Sequence, residues 1–282
     1  MPNILSAISS IIHNPIVKLV SYYRGLNRIN NVGEALEDYI KDILSGSIGV
    51  DDEATRIKNY SETFSYIGNQ NNPPDLIIKG GDSIEVKKIQ SKESDLALNS
   101  SYPKNKLYSD STLITTACRD CEEWDVKDII YVIGYVNGEN LKSLCVVYGD
   151  CYAADKQTYE RIKETISKGI TEIPDVDFTE TKELGKVKKV DPLGITTLRV
   201  RGMWHIMNPL KVFKYVYSYD TDAQFQMMVI MKKEKFDSFP QGDRDALLNL
   251  TKDGFSISDI EIQDPNNSAK LMDAKLITYK LR

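Results

Sequence analysis

The sequence predicts a mixed α/β (α+β) fold: a central mixed β-sheet flanked by helices, with a strand-rich C-terminal extension. Three observations carry this. An amphipathic helical stretch at 33–45 precedes a run of short apolar strands. Two of those strands meet at a glycine turn inside PPDLIIKGGDSIEVKKI (73–89). The last third of the chain is dominated by short apolar and alternating segments of strand length.

The elements follow in order. In GEALEDYIKDILS (33–45), Ala35, Leu36, Tyr39, Ile40, Ile43 and Leu44 recur at helical spacing, with Asn30 or Asn31 as N-cap. Residues 62–68 read as a short strand and NQNNPP as a turn cluster. DLIIK and SIEVKKI are strands around the tight GGD turn. The polar 91–110 segment reads as a long loop, and STLITTACRDCEEW (111–124) as a helix capped by Ser111 or Thr112. Residues 128–136 and 143–149 are strands joined through Asn137-Gly138, and 155–168 is a polar surface helix. After a charged stretch, 196–204, 210–219 and 225–233 read as strands and 242–251 as a short helix. DIEIQD and KLITYKL close the chain as strands. The expected organisation is a core with N-terminal helices over 1–170 and a strand-rich portion over 171–282, packed onto the core as one compact unit.

The 282 residues are 41% hydrophobic and 27% charged, the balance of an ordinary soluble protein. No apolar run reaches the roughly 18–20 residues a bilayer span needs. The N-terminus lacks the basic start of a secretion signal, so a cytoplasmic protein is expected. A net charge of −5 argues against a protein that coats nucleic acid indiscriminately, yet leaves room for a nuclease with one basic cleft. Cys118 and Cys121 form a lone CxxC with no second ligand pair, and the two histidines, His13 and His205, are far apart. All four cysteines are expected as free thiols rather than zinc ligands.

The 73–89 hairpin poses the chemical question. It is apolar enough for core, yet carries Asp75, Glu85 and Lys87. Period-two alternation sets Glu85 and Lys87 on one face, and a splayed glycine turn brings Asp75 near Glu85. Two carboxylates in a half-buried site repel unless a cation sits between them, and hard oxygen ligands with open positions favour Mg²⁺. Lys87 beside such an ion can orient or help deprotonate a water, or stabilise charge on a phosphate. That is the equipment of phosphodiester hydrolysis.

Pro74-Asp75, nine residues, then Glu85-Val86-Lys87 resembles the signature of the PD-(D/E)XK nuclease superfamily. The superfamily's core order of helix, three strands, helix and strand agrees with the order of elements expected here. A second match, Pro174-Asp175 with Glu180-Thr181-Lys182, leaves only four residues between its acids, too few for two strands and a turn. NNPPDLIIKGGDSIEVKKIQSK, LALNSSYPKNKLYSDS, TTACRDCEEW, KDIIYVIGYV and LKSLCVVYGDCYAA look like the NgoPII family of type II restriction endonucleases. The resemblance implies a PD-(D/E)XK restriction-endonuclease-like core and a homodimer that hydrolyses double-stranded DNA at a short palindromic, GGCC-like site, leaving 5′-phosphates. It implies Mg²⁺, with Mn²⁺ as substitute, held by Asp75, Glu85 and Val86. It also implies catalytic roles for Asp75, Glu85 and Lys87, and a further carboxylate on the first core helix, Glu37 before Glu34. A cognate DNA methyltransferase is expected in the same system, though not in a stable complex.

DNA contacts are expected from two stretches and one helix. Asn99, Ser100, Ser101, Lys104 and Lys106, in the loop after the catalytic strand, suit phosphate contacts. Arg199 and Arg201 alternate along one strand face as candidate guanine readers, followed by Trp204 and His205. Arg119 is a third candidate, with an ion pair to Glu122 or Glu123 as its alternative. KELGKVKK (182–189) reads as a solvated basic loop able to track a phosphate backbone, and FKYVYSY (213–219) as core packing. The competing readings are a structure-specific repair or junction nuclease of the same superfamily, and a DNA-binding module with a vestigial site.

Overall fold

The computed structural model describes residues 2–26, 28, 32–69, 72–98, 101–181 and 184–282. Four helices come first: α1 (Ile4–His13), α2 (Leu19–Gly25), α3 (Val32–Ser45) and α4 (Glu53–Thr63). Strands β1 (Phe64–Asn69), β2 (Asn72–Ile78) and β3 (Ser83–Ile89) come next, then the short β4 (Leu96–Ala97) and β5 (Lys106–Tyr108) and the helix α5 (Thr116–Arg119). After these come β6 (Val126–Asn137), β7 (Asn140–Tyr148), α6 (Lys156–Thr171), β8 (Asp177–Thr179), β9 (Gly185–Lys188), β10 (Thr197–Val200) and β11 (His205–Ile206). The chain ends with α7 (Pro209–Val212), β12 (Phe225–Lys232), α8 (Lys233–Ser238), α9 (Gln241–Leu248), β13 (Phe255–Asp264) and β14 (Asn267–Leu281).

A nine-stranded mixed sheet organises the molecule, in the order β1-β2-β3-β6-β7-β12-β14-β13, with β5 paired to β6. β3 runs parallel to β6, and β7 parallel to β12; the other neighbours along the path are antiparallel. The central strands β6, β7 and β12 are buried almost throughout, which is why they read as continuous apolar runs. β8–β10 form a separate three-stranded sheet, and β11 pairs with β4.

Helix α3 packs on the sheet through the residues its spacing predicts: Ala35, Leu36, Tyr39, Ile40, Ile43 and Leu44 are all buried. A Cβ on Gly134 of β6 would lie 2.7 Å from Leu36 Cδ2, so the glycine lets the helix rest directly on the sheet. Asp42, also buried on α3, is structural. It accepts from Tyr23 Oη at 2.9 Å, Arg28 Nη1 at 2.7 Å and Tyr60 Oη at 2.5 Å, so its charge is fully paired.

Several stretches differ from the sequence expectation. The 111–124 helix shrinks to α5, capped by Thr115 rather than Ser111 or Thr112; only Ile114 and Cys118 of this segment's apolar residues are buried, too few to stabilise four turns. The 210–219 strand is instead α7 and the turns after it. Phe213, Tyr215, Tyr217 and Tyr219 mimic period two, but Phe213 and Tyr217 are buried four residues apart while Tyr215 is exposed. Asn208 caps this helix, its side chain accepting from Leu210 N at 2.9 Å, and Pro209 occupies the first position. The 182–189 stretch contains the strand β9 rather than loop alone. Helix α4 carries little apolar periodicity to announce it, and its side chains are exposed or half-buried apart from Thr63. The N-cap candidates Asn30 and Asn31 lie outside the described residues.

Among the described residues, no helix is long and apolar enough to cross a membrane. The four cysteines are free, and burial pushes the Cys118 thiol up to about 12.

Candidate active site

β2 and β3 pair at only two positions, Leu76 with Ile84 and Ile77 with Ser83. Beyond them the strands part, while β3 stays in register with β6 from Ser83 to Ile89. The β2-side edge of β3 is therefore open where Glu85, Val86 and Lys87 lie. Asp75 reaches into this opening, and its Oδ2 accepts the Val86 N–H at 2.6 Å. A side chain thus stands in for a ladder bond, which fixes the carboxylate against β3.

Glu85 and Lys87 share a face as alternation requires, with Lys87 Nζ 2.5 Å from Glu85 Oε1. Glu85 Oε2 is buried and lacks a hydrogen-bond partner among the described residues. The electrostatics show the strain of two acids in one half-buried place. Burial, then the nearby Glu85 charge, pushes the Asp75 carboxyl up to about 7, although Lys87 and the Val86 N–H oppose this. Burial would lower the Lys87 ammonium, but Glu85 and Asp75 outweigh it and hold its pKa above the ordinary lysine value. Lys87 is therefore a charged group at neutral pH.

Glu37 comes directly after Leu36 on α3 and lines a cleft of about 220 Å³ with Lys41, Ile67, Asp75 and Val86. Burial raises its pKa, partly offset by Lys41 and Lys87. The chain thus brings Glu37, Asp75, Glu85 and Lys87 together from two separated segments. Among the described residues no cluster of three or more His, Cys, Asp or Glu forms a ready-made metal cage. What is present is a donor set of carboxylate oxygens, one of them buried and unpaired, beside an acid held near neutrality. That chemistry fits a hard divalent cation, with the main chain of Val86 able to add only its carbonyl oxygen.

The DNA-contact expectations fare unevenly. Lys104 is buried, not at a solvated loop surface, and burial pulls its pKa down to about 8. Its Nζ donates to Ser101 Oγ and to the Tyr102 carbonyl, and it borders a void of about 10 Å³ shared with Glu85 and Tyr131. Nothing in the spacing of 99–106 signals this placement. Lys106 pairs with Asp128 and, at 3.2 Å, with Asp150, which also holds Lys232. Arg119 clamps backbone rather than an acid: Nε donates to the Ser109 carbonyl at 2.7 Å and Nη2 to that of Ser111 at 3.0 Å, while Glu122 pairs with Lys127. Arg119→Ala is expected to cost about 1–2 kcal/mol in chemical denaturation, with no change in the salt dependence of DNA binding. Trp204 packs edge-on against Tyr102 and Tyr159, and its carbonyl accepts from Leu98 N at 2.8 Å. Arg199, Arg201 and His205 are exposed, the first on β10. Asn99 and Ser100 lie outside the described residues.

Comparison with known proteins agrees over nearly the whole chain. The profile of the NgoPII restriction endonuclease family matches residues 2–263. A curated relative from Neisseria gonorrhoeae, "Type II restriction enzyme NgoPII", is 49% identical over 280 residues, covering 99% of this chain and 100% of the relative. No solved structure matches.

Proposed function

Since this chain belongs to the NgoPII restriction endonuclease family, we propose that it is a type II restriction endonuclease with a PD-(D/E)XK site. It hydrolyses phosphodiester bonds in double-stranded DNA at a short, G/C-rich palindrome, leaving 5′-phosphates, and works as a homodimer in the cytoplasm. Two copies related by a two-fold axis present one site to each strand of a palindrome. A cognate methyltransferase protects the host DNA without forming a stable complex. The observation that carries the reading is the Asp75–Glu85–Lys87 cluster at the parted β2–β3 edge, with its unpaired Glu85 oxygen and its near-neutral Asp75.

Asp75 and Glu85, with the Val86 carbonyl, would hold Mg²⁺. When bound, the ion supplies an activated water and charge neutralisation at the phosphate. The chain's own groups do the rest. The Val86 N–H keeps Asp75 turned to the site. Lys87, held as an ammonium, stabilises the negative charge that builds on the phosphate oxygens. Its ammonium is paired with Glu85, which holds the lysine beside the carboxylates. Glu37 lines the same cleft as Asp75 and Val86 and adds a further carboxylate there. Glu37→Gln is expected to slow single-turnover cleavage about tenfold and to raise the Mg²⁺ concentration needed for half-maximal rate, with DNA affinity unchanged.

Digestion of a fully sequenced linear phage DNA, with Mg²⁺ and with EDTA, tests the reading. Discrete Mg²⁺-dependent fragments are expected, and their ends give the site and the stagger. A smear, or activity confined to branched or damaged DNA, would sink it in favour of a repair nuclease. Binding without cleavage would leave only a DNA-binding module.

A further inference from the structure

The β9–β10 hairpin carries a charge pattern at odds with the rest of the chain. Overall the protein is acidic, at −5. Yet residues 184–201 hold five basic side chains, Lys186, Lys188, Lys189, Arg199 and Arg201, against one acid, Asp191. The register sorts them by face. Lys186 stands directly opposite Arg199, and Lys188 opposite Thr197, so these four share one side of the β9–β10 ribbon. Val187, opposite Leu198, points to the other side and is buried. Asp177 of β8, opposite Lys188 on the same face, pairs with Lys189 at 2.6 Å.

The ribbon ends in an unusual tip. Leu193 and Ile195 are 81% and 79% exposed, more than any other large apolar residue described. The tip is nonetheless well held. Asp191 accepts from Leu193 N at 3.0 Å and Thr196 N at 2.5 Å, and Val190 N donates to the Thr196 carbonyl at 3.2 Å. Gly194, at φ +68, supplies the left-handed residue this turn needs. The one acid of the segment is thus spent on the loop's backbone, and two bare aliphatic side chains project beyond a basic ribbon.

We infer that the β9–β10 ribbon is a DNA-groove arm: Lys186, Lys188 and Arg199 lie along the phosphate backbone and groove wall of the substrate duplex, and Leu193 and Ile195 enter the groove against the bases. Beyond Lys188, where β8 stops, only β9 and β10 lead into the tip, and the major groove admits a two-stranded element. Apolar side chains at the end of a basic element are what groove-inserting proteins place against bases and thymine methyls. A second copy of the chain is the poorer occupant, because a two-fold contact would set this basic face against itself. The arm is tied to the catalytic strand. Five residues after β10 the chain pairs as β11 with β4, the next strand after β3. The inference rests on the proposed DNA cleavage and adds Lys186, Lys188, Leu193 and Ile195 to it.

The test uses the full chain and two double variants, Lys186→Ala with Lys188→Ala, and Leu193→Ser with Ile195→Ser. Fluorescence anisotropy measures binding in Ca²⁺ to the duplex whose site the phage digestion maps, and to an unrelated duplex, over a range of salt. The lysine variant is expected to weaken binding to both duplexes and to flatten the slope of log affinity against log salt by about 2. The tip variant is expected to bind the mapped duplex roughly tenfold more weakly while its affinity for the unrelated duplex and its salt slope stay unchanged. Wild-type affinity and slope in both variants, with the parent enzyme still cutting, would overturn the arm and leave the endonuclease reading intact. A parent chain that neither binds nor cuts duplex DNA would overturn both.

Discussion

Lys87→Ala is expected to lower the single-turnover rate of cleavage by roughly 10²–10³-fold while the affinity for the same duplex stays within a factor of about 3. Lys87 is mostly buried, pairs with Glu85 at 2.5 Å, and is held charged by two acids. Its ammonium is therefore a fixed positive charge in a low-dielectric place, worth most where negative charge grows during phosphoryl transfer and little in ground-state binding. Arginine should not restore the rate, because its planar guanidinium spreads the charge and projects it further from the backbone than the compact lysine ammonium does. If affinity fell in parallel with rate, Lys87 would be a DNA-binding lysine rather than a catalytic one.

The second large effect has opposite signs for activity and stability. Asp75→Asn is expected to abolish cleavage and yet to stabilise the metal-free protein at pH 8 by on the order of 2–4 kcal/mol. The folded-state pKa of Asp75, about 7, lies above its ordinary value of 3.8. The folded protein therefore binds the proton more tightly than the unfolded chain does. Its stability is highest below about pH 4 as far as this group is concerned, and is lost as pH rises from 4 to 7. At pH 8 the whole penalty of a buried, repelled carboxylate is present. Asparagine keeps an oxygen for the Val86 N–H and removes the charge. Urea denaturation at pH 5.5 and 8 in EDTA should show wild-type stability falling between the two and the variant changing less. Mg²⁺ at pH 8 should raise the wild-type midpoint and leave the variant's alone. A variant less stable than wild type at pH 8 would mean that Asp75 is structurally paired rather than poised for a cation. This is the trade expected where a site stores repulsion for a ligand to relieve.

Much of this site was legible because its chemistry is local. Asp75, Glu85 and Lys87 lie in one hairpin, and strand alternation with a glycine turn is enough to place them. Glu37 was expected from the resemblance alone, and α3 places it on the cleft that Asp75 and Val86 line. Lys104 was not legible. Its burial beside Glu85 depends on how the 101–105 segment crosses Tyr131 of a distant strand, whose hydroxyl accepts the Lys104 N–H at 2.7 Å. Arg119 misled because an arginine three or four residues from glutamates suggests an ion pair, whereas the turn at 109–111 offers it two carbonyls. The aromatic run at 213–219 satisfies both a two-residue and a four-residue period, and only the Asn208-Pro209 cap decides between them. The arm at β9–β10 was half legible: its lysines and arginines stand out, but their common face depends on the register of two strands joined by a long connection.

The most direct test of the central claim compares the two PD…(D/E)xK matches of the chain on one end-labelled duplex carrying the mapped site. Glu85→Gln alters the buried hairpin acid. Asp175→Asn alters the first acid of the other match, which is exposed and at φ 59, a conformation asparagine tolerates well. Single-turnover cleavage in Mg²⁺ should fall by at least about 10²-fold for Glu85→Gln, with binding retained, and stay at the wild-type rate for Asp175→Asn. Cleavage that survives Glu85→Gln would contradict the account and move the active centre away from the β2–β3 edge.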